Sequence, residues 1–298
     1  MELINFVLPF PSIFYAPVYV AQTREFFQQN SIEVQFSFPP LGGDPVEPLE
    51  AGHGDVAVGG PVRLMRSAPA SPEPCTIIGQ VTGASGFSIV GRQSAPFRWN
   101  DLAGKTYIPF TLSRTPLLFT RSRLRTNQVD PDAMQIREAA SPDEAVAMFL
   151  ASDVDFAELP EPYVSSILAA DSASVCVSMA RELGAIPFSV IITRRELIEQ
   201  RRSALQCVLA GIRDAQAWIR DASAQGVAAE LSRSFPDIEP SLLDSSAVRY
   251  KDEGVWASEP AFDRAPFIAM QETIMQGGEE LRMLSFEDSV DISLIPRD

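Results

Sequence analysis

A short polar run before a proline has the composition of an anion-binding turn. Ser113, Arg114 and Thr115 immediately precede Pro116, and proline is common at the first position of a helix. Two hydroxyls, a guanidinium and the free N–H groups of a helix start can together hold a carboxylate or a sulfonate. The same hydroxyls could instead cap the helix without binding a ligand. These residues by themselves leave both roles open.

Two adjacent aromatic residues near the start of the chain are candidates for binding a planar ligand. An aromatic face can stack on a ring, and the phenol of Tyr15 adds a polar group beside Phe14. Ser12 lies in the same loop and is a further candidate. Core packing beneath the first helix is the alternative role for both aromatic residues.

Further candidates lie where predicted strands end, because open α/β sheets bind ligands beyond the carboxyl ends of their strands. Gly43, Gly60 and Arg63 belong to such loops in the first part of the chain. Arg63 could clamp an anion or simply be solvated. Glu158 and Glu161 could accept hydrogen bonds from a ligand amine, although Glu161 could equally cap a helix or pair across a hinge.

The spacing of apolar residues predicts strands that alternate with helices. Strands are predicted at residues 3–8, 32–38, 56–58, 76–81 and 87–90, followed by a second sheet of residues 105–108, 135–138, 156–159, 174–178 and 188–192. Helices are predicted at residues 16–27, 61–66, 117–125, 142–151, 162–169, 197–222, 227–234 and 262–276. Such alternation favours largely parallel sheets.

Composition and charge argue against several functional classes. Acidic residues outnumber basic ones by 39 to 24, and the formal net charge of -15 disfavours nucleic acid and anionic membranes as partners. The single histidine, His53, lies between two glycines and is expected in a surface turn. Cys75, Cys176 and Cys207 lack metal-site spacing and are expected to be inert core thiols. We therefore expect no catalytic residue, no metal and no cofactor.

The start of the chain is apolar but has the composition of neither a signal peptide nor a membrane span. Asn5 and several prolines interrupt the apolar run, and no lysine or arginine precedes Arg24. We expect no membrane insertion. If Met1 is the native start, the protein is expected in the cytoplasm, whereas removal of a leader would make it periplasmic.

Several segments resemble the solute-binding proteins for sulfonates, taurine and thiamine-pyrimidine precursors, a family that also includes a thiamine-pyrimidine synthase of yeast type. The resemblance is one of pattern and extends over most of the chain. It lies in residues 14–21 (FYAPVYVA), 51–58 (AGHGDVAV), 101–105 (DLAGK) and 155–162 (DFAELPEP), and in Trp256 with the helix predicted after it. These landmarks occur in the order that the family shows.

The resemblance implies a two-lobed α/β fold of the type 2 periplasmic-binding-protein class, with two mixed sheets flanked by helices and a hinge. Residues 1–87 with 194–298 would form the first lobe and residues 88–193 the second, joined by hinge segments near 86–92 and 186–193. A protein of this kind closes on a small organic ligand, anionic or heterocyclic. It acts as a monomer for an ABC-type transporter permease or for a sensor.

Enzymes on the same fold are the alternative. Desulfinases and decarboxylases share the fold, and a cytoplasmic family member could act in this way. General acid–base chemistry commonly uses histidine, and His53 is the sole histidine. The reactive histidine of the thiamine-pyrimidine synthase falls near Arg63, and its cysteine-rich motif has no counterpart here. We therefore favour a non-catalytic receptor, in which the family position of residues 113–115 favours ligand binding.

Overall fold

Strands and helices alternate along most of the chain in the computed structural model, which describes residues 1–66, 75–92, 96–170 and 173–295. The strands are β1 (Glu2–Val7), β2 (Ile32–Ser37), β3 (Val56–Gly59), β4 (Cys75–Thr82), β5 (Phe87–Gly91), β6 (Thr106–Ile108), β7 (Gln135–Ile136), β8 (Phe156–Pro160), β9 (Ser174–Ser178) and β10 (Ser189–Arg194).

The helices begin with α1 (Ala16–Thr23), α2 (Phe26–Gln29), α3 (Val46–Glu50), α4 (Val62–Arg66), α5 (Thr115–Thr126), α6 (Pro142–Leu150) and α7 (Tyr163–Ala170). They continue with α8 (Met179–Leu183), α9 (Arg195–Gln200), α10 (Arg202–Asp221), α11 (Ala224–Leu231), α12 (Pro240–Asp252), α13 (Arg264–Gln276) and α14 (Phe286–Ser289). Within the described ranges, no helix combines the length and the apolar character needed to cross a membrane.

The first sheet has the strand order β2, β1, β3, β10, β4. β1 pairs in parallel with β2 and β3, whereas β10 runs antiparallel between β3 and β4. The edge strand β2 alternates buried Ile32 and Val34 with exposed Glu33 and Gln35, while β3 and β10 are buried on both faces. Burial on both faces explains the mostly apolar sequences of these central strands.

The second sheet has the strand order β7, β6, β8, β5, β9. β6 pairs in parallel with β7 and β8, whereas β5 runs antiparallel between β8 and β9. The chain enters the second sheet through β5 and returns to the first sheet through β10, and these are the two antiparallel strands. The sheets are therefore mixed, as the resemblance implies, and less parallel than the alternation of elements predicts.

The prediction that residues 188–192 belong to the second sheet is wrong. These residues lie almost entirely in β10, which pairs with β3 and β4 of the first sheet. The chain has already returned to the first sheet at this point. Periodicity shows which faces of a strand are buried, but it does not identify the neighbouring strands.

Most predicted helices are confirmed to within a few residues, but two of them are interrupted. The helix predicted at residues 16–27 is divided into α1 and α2 at Glu25, which has a φ of 60°. The helix predicted at residues 197–222 is divided into α9 and α10 at Arg201. The guanidinium of Arg201 binds carboxylate oxygens of Glu2 and Asp55, each at 2.6 Å.

Helix α12 is absent from the predicted helices, although its sequence contains a helical stripe. Leu243, Ala247 and Tyr250 are buried and recur at steps of four and three residues. Pro240 stands at the first position of the helix, where its fixed φ is favourable. Both signals were sufficient to predict this helix.

The two passages of the chain between the sheets, residues 83–86 and 179–188, are here called the crossing segments. The N–H of Ile186 donates to the carbonyl of Gly83 at 2.9 Å, and the N–H of Phe188 donates to the carbonyl of Thr82 at 3.1 Å. The next N–H donates to the hydroxyl of Thr82 at 2.9 Å. These bonds hold the crossing segments side by side between the sheets.

A buried carboxylate connects α12 with the second sheet. Glu161 follows β8, and its fully buried side chain accepts hydrogen bonds from Arg249 Nε at 2.5 Å and from Ser246 Oγ at 3.2 Å. The hydroxyl of Tyr250 accepts from the N–H of Glu161 at 2.9 Å and donates to the carbonyl of Gly86 at 3.1 Å. Helix α12 therefore contacts both the second sheet and the first crossing segment.

Arg249→Ala is expected to lower the free energy of unfolding by about 2–4 kcal/mol, because it leaves the carboxylate of Glu161 buried without its counter-ion. Equilibrium unfolding in urea measures this loss. Arg220→Ala is the matched control, since Arg220 pairs with Asp221 where both side chains are exposed, and solvent screening leaves such a pair little effect on stability. Equal losses in the two variants would contradict the role assigned to Glu161.

Candidate functional site

A cavity of about 200 Å³ lies where carboxyl ends of strands from the two sheets face each other. Phe10 follows β1 and Gly60 follows β3 in the first sheet, while Phe110 and Thr111 follow β6 in the second. The carboxyl edge of parallel strands is the usual ligand-binding edge of open α/β sheets. The cavity is therefore the candidate binding site.

Larger grooves in the described part of the chain have less suitable positions. One of about 630 Å³ lies beside Lys105 and Asp155, at the amino ends of β6 and β8. Another of about 460 Å³ is lined by Pro187 of the second crossing segment and by Trp256. Trp256 itself is buried, as expected for a core residue, and its indole N–H donates to the carbonyl of Ile13 at 3.1 Å.

Aromatic rings from both sheets form a wall of the cavity. The ring centroids of Phe10 and Phe110 are 5.7 Å apart, and those of Phe87 and Phe110 are 5.1 Å apart. The ring of Phe188 lies 5.5 Å from that of Phe14 and 5.7 Å from that of Phe87. These tilted and edge-to-face contacts are the arrangements that aromatic pairs prefer. The wall is therefore continuous from one sheet to the other.

Several of these rings come from a sequence pattern that the sequence-based prediction missed. Residues 8–10 (LPF), 108–110 (IPF) and 186–188 (IPF) each begin with a buried aliphatic residue and end with a phenylalanine that lines the cavity. Proline has no N–H to donate and therefore tends to end the pairing of a strand. Pro9 and Pro109 follow the ends of β1 and β6, whereas Pro187 precedes β10, and in all three places the next side chain lines the cavity. This repeated triplet was a usable signal for the aromatic wall.

Arginine side chains also line the cavity. Arg63 and Arg66 lie on α4, and the guanidinium of Arg63 is 3.1 Å from a carboxylate oxygen of Asp44. Arg66 donates two bonds to the carboxylate of Glu279, at 2.7 and 2.8 Å. Arg114 stands exposed at the start of α5 and has no carboxylate within ion-pair distance among the described residues. A free guanidinium thus borders the cavity.

Hydroxyl groups complete the polar lining. Ser113 lines the cavity and accepts a hydrogen bond at 3.3 Å from the N–H of Thr115, the first residue of α5. The hydroxyl of Thr111 is buried and has no hydrogen-bond partner among the described residues. Burial raises the pKa of Tyr15 well above its usual range, and nearby Arg63 only partly opposes this rise. The phenol therefore remains a neutral hydrogen-bonding group.

Most of the predicted site residues are brought together at this cavity. Those that line it are Phe14, Tyr15, Gly60, Arg63, Ser113, Arg114 and Thr115. Ser12, Gly43, Glu158 and Glu161 are not in its described lining. Ser12 instead accepts from the N–H of the second residue after it at 3.2 Å, and Gly42 lines the cavity next to Gly43. Contact between any of these residues and a ligand stays a prediction.

Glu158 is a buried structural acid that joins β8 to β6 and α5. Its carboxylate accepts hydrogen bonds from the hydroxyl of Tyr107 at 2.9 Å and from that of Thr120 at 3.0 Å. Burial raises the pKa of Glu158 to about 7, although these two hydrogen bonds oppose the rise. The side chain is therefore engaged within the second sheet and its helix.

Glu158→Gln is expected to change how stability depends on pH. Folding raises the pKa of Glu158 from its ordinary 4.5 to about 7. The protonated side chain therefore stabilises the folded protein fully below pH 4.5, and this stabilisation is lost as pH rises through about 7. Between about pH 5 and pH 8, the wild type should lose about 1–3 kcal/mol of unfolding free energy relative to Glu158→Gln. Urea unfolding at both pH values measures the difference, and parallel pH profiles would refute it.

The other groups with reactive potential lie away from the cavity. His53 is exposed in a turn before β3, as predicted. Burial raises the pKa of Cys75 to about 12 and that of Cys176 to about 11. The expectation of core thiols holds for Cys75 but is wrong for Cys176 and Cys207, which are partly exposed on the edge strand β9 and on α10.

Two mixed sheets joined by paired crossing segments, with a cavity at their facing edges, define the two-lobed fold of the periplasmic binding proteins. The family model described as NMT1/THI5 like matches residues 13–224. The chain belongs to the NMT1/THI5-like family.

The chain is similar to a binding protein in sequence, and to a binding protein and an enzyme in structure. YtlA of Bacillus subtilis (strain 168), named "Putative binding protein YtlA", is 24% identical over 274 residues, which are 90% of this chain and 81% of YtlA. The periplasmic aliphatic sulphonate binding protein SsuA from Escherichia coli has a TM-score of 0.75 at 17% identity, over 100% of this chain and 92% of SsuA. The desulfurization enzyme DSZB has a TM-score of 0.64 at 17% identity, over 93% of this chain and 92% of DSZB. The structural likenesses establish the fold.

Proposed function

We propose that the chain is a solute-binding protein whose two lobes close on a small anionic molecule that carries a ring. The cavity at the facing strand ends is the observation that carries this proposal. Phe10 and Arg63 from the first lobe line the same space as Phe110 and Arg114 from the second. A ligand that contacts both sets of groups binds the closed form more tightly than the open form, and thereby favours closure.

The size and lining of the cavity suit a single ring with one anionic substituent. A cavity of about 150 Å³ is large enough for benzene, and this one measures about 200 Å³. The aromatic wall offers faces and edges to a planar ligand. The guanidinium of Arg114 offers charge-assisted hydrogen bonds to a carboxylate or a sulfonate. Such a ligand shares an anionic group with the aliphatic sulphonate named for SsuA, and the ring is inferred from the aromatic wall alone.

The lobe boundaries predicted from the sequence fit this mechanism. Residues 1–87 with 194–298 and residues 88–193 would move relative to each other about the crossing segments. The first of these segments, residues 83–86, precedes β5, so we place that part of the hinge slightly before the predicted 86–92. The hydrogen bonds between the crossing segments support this placement of the hinge.

A solute-binding protein of this kind would have a membrane partner and would act outside the cytoplasmic membrane. The partner would be the permease of an ABC-type importer, which distinguishes the closed, ligand-bound form from the open form. Such a receptor would work outside the cytoplasmic membrane, as the term periplasmic in the description of SsuA indicates for that protein. We expect it to be a monomer. A sensor that binds the closed form is the other partner compatible with this mechanism.

An enzyme related to DSZB is the competing function, and the lining of the cavity disfavours it. Neither cysteine nor histidine occurs among the described lining residues. The raised pKa values of Cys75 and Cys176 reduce the thiolate fraction that nucleophilic attack requires. The cavity thus offers groups that bind an anion and a ring, without a described acid–base or nucleophilic pair beside them.

A thermal-shift panel of sulfonates, carboxylates and pyrimidines tests the proposed function. A ligand that binds the folded state alone raises the melting temperature as its concentration increases. Mass spectrometry of the recovered ligand then distinguishes binding from turnover. A stabilising ligand that is recovered unchanged is the expected result, whereas conversion of that ligand would support the enzyme.

Arg114→Ala is expected to weaken binding of the anionic ligand by about 1.5–3 kcal/mol, because it removes a charge-assisted hydrogen bond. Isothermal titration calorimetry measures the change. Arg121→Ala is the matched control, since Arg121 lies on the same helix and pairs with Asp132 at 2.6 Å outside the cavity lining. Unchanged affinity in Arg114→Ala, or an equal loss in Arg121→Ala, would remove Arg114 from the site.

A further inference from the structure

A segment that begins at the last residue of α13, residues 276–282, touches helices from both sides of the cavity and is here called the strap. Its first end is fixed on α5. Ser122 donates a hydrogen bond to the side chain of Gln276 at 3.2 Å, and the guanidinium of Arg125 donates to the carbonyl of Gln276. The strap therefore begins on the helix whose first turn carries the free guanidinium of Arg114.

The other end of the strap is fixed on α4. Glu279 accepts two hydrogen bonds from Arg66, at 2.7 and 2.8 Å, and the N–H of Arg282 donates to the carbonyl of Met65 at 3.2 Å. The hydrogen bonds and charge of Arg66, together with the charge of Arg114, hold the pKa of Glu279 below its usual range. Glu279 is thus a carboxylate that interacts with arginines on both sides of the cavity.

The charges around the cavity do not cancel. Among the described residues, three guanidinium groups line the cavity, those of Arg63, Arg66 and Arg114. Two carboxylates pair with them, Asp44 with Arg63 and Glu279 with Arg66. One positive charge is left in excess, and it is centred on Arg114. A ligand with a single negative charge would neutralise this excess. A second negative charge on the ligand would instead be repelled by the carboxylate of Glu279.

We propose that Glu279 makes the cleft selective for monoanions over dianions by supplying a fixed negative charge beside Arg66. This proposal rests on the proposed ligand-binding function and specifies the charge of its ligand. Glu279 acts through Arg66 and through its field at Arg114, so it is a positioning and selectivity residue. Neutralising the carboxylate of Glu279 should improve the binding of a dianion more than that of a monoanion, because the repulsion between the carboxylate and the ligand scales with the ligand charge.

Benzenesulfonate and phenyl phosphate are matched probes for this selectivity. Both carry three terminal oxygens on a tetrahedral atom, which is bonded directly to the ring in the sulfonate and through an ester oxygen in the phosphate. At about pH 8 the phosphate is largely dianionic, since its second pKa is about 6. Calorimetry with the wild type should show tighter binding of benzenesulfonate, by about tenfold. In Glu279→Gln the ratio of the two affinities should move towards phenyl phosphate by about tenfold.

Glu280→Gln is the matched control, because Glu280 is the exposed neighbour on the strap and its substitution changes the net charge by the same amount. It should keep the wild-type ratio. Arg66→Gln, which lowers the positive charge of the lining, should move the ratio further towards benzenesulfonate. Since a structural defect would weaken both probes together, the ratio separates selectivity from loss of fold.

The possible failures are distinct. If the wild type binds phenyl phosphate at least as well as benzenesulfonate, or if Glu279→Gln keeps the wild-type ratio, the selectivity role is overturned while ligand binding stands. An equal shift in Glu280→Gln would assign the effect to net charge and would also overturn it. Binding of neither probe to any of these proteins would contradict the anion-binding cleft itself.

Discussion

The pairing of the two crossing segments determines where the groups of the cleft lie. Thr82 accepts hydrogen bonds from consecutive N–H groups, its carbonyl from Phe188 and its hydroxyl from Ser189. Phe188 ends the second crossing segment, and Phe87 begins β5 directly after the first. The pairing places the centroids of their rings 5.7 Å apart. Both rings therefore lie at the junction of the two sheets. The rest of the aromatic wall packs on this pair.

The reverse side of the junction is supported by α12. The hydroxyl of Tyr250 binds the carbonyl of Gly86, and the ring of Tyr250 lies 6.1 Å from that of Phe14. Glycine is required at position 86 because a Cβ there would lie 2.5 Å from the ring of Phe14. Phe14 thus connects the cavity wall to the helix that binds Glu161. Movement of the lobes and occupation of the cavity would therefore both change the contacts of Phe14 with Gly86 and Tyr250.

The sequence predicted the fold class and most elements, because apolar periodicity and helix-start residues are local properties. It did not predict the sheet to which residues 188–192 belong, since strand partners depend on where the chain crosses between sheets. At the break between α9 and α10, Arg201 forms ion pairs with Glu2 and Asp55, which are distant in sequence. Residues 113–115 could be predicted as site candidates because they follow a strand and begin a helix, which are local features. The ion pair of Arg66 with Glu279 could not be predicted, because it joins residues that are far apart in the sequence.

The central claim is that the ligand occupies the space between the two lobes, and Gly60 gives direct access to that space. A Cβ at this position would lie 3.6 Å from the carbonyl oxygen of Phe188 and 3.9 Å from the hydroxyl of Thr115, so the backbone tolerates a side chain there. Gly60→Leu should keep the fold while filling the cavity. Calorimetric titration of this variant with the ligand that stabilises the wild type is expected to show no binding. Wild-type affinity in a folded Gly60→Leu protein would contradict this account.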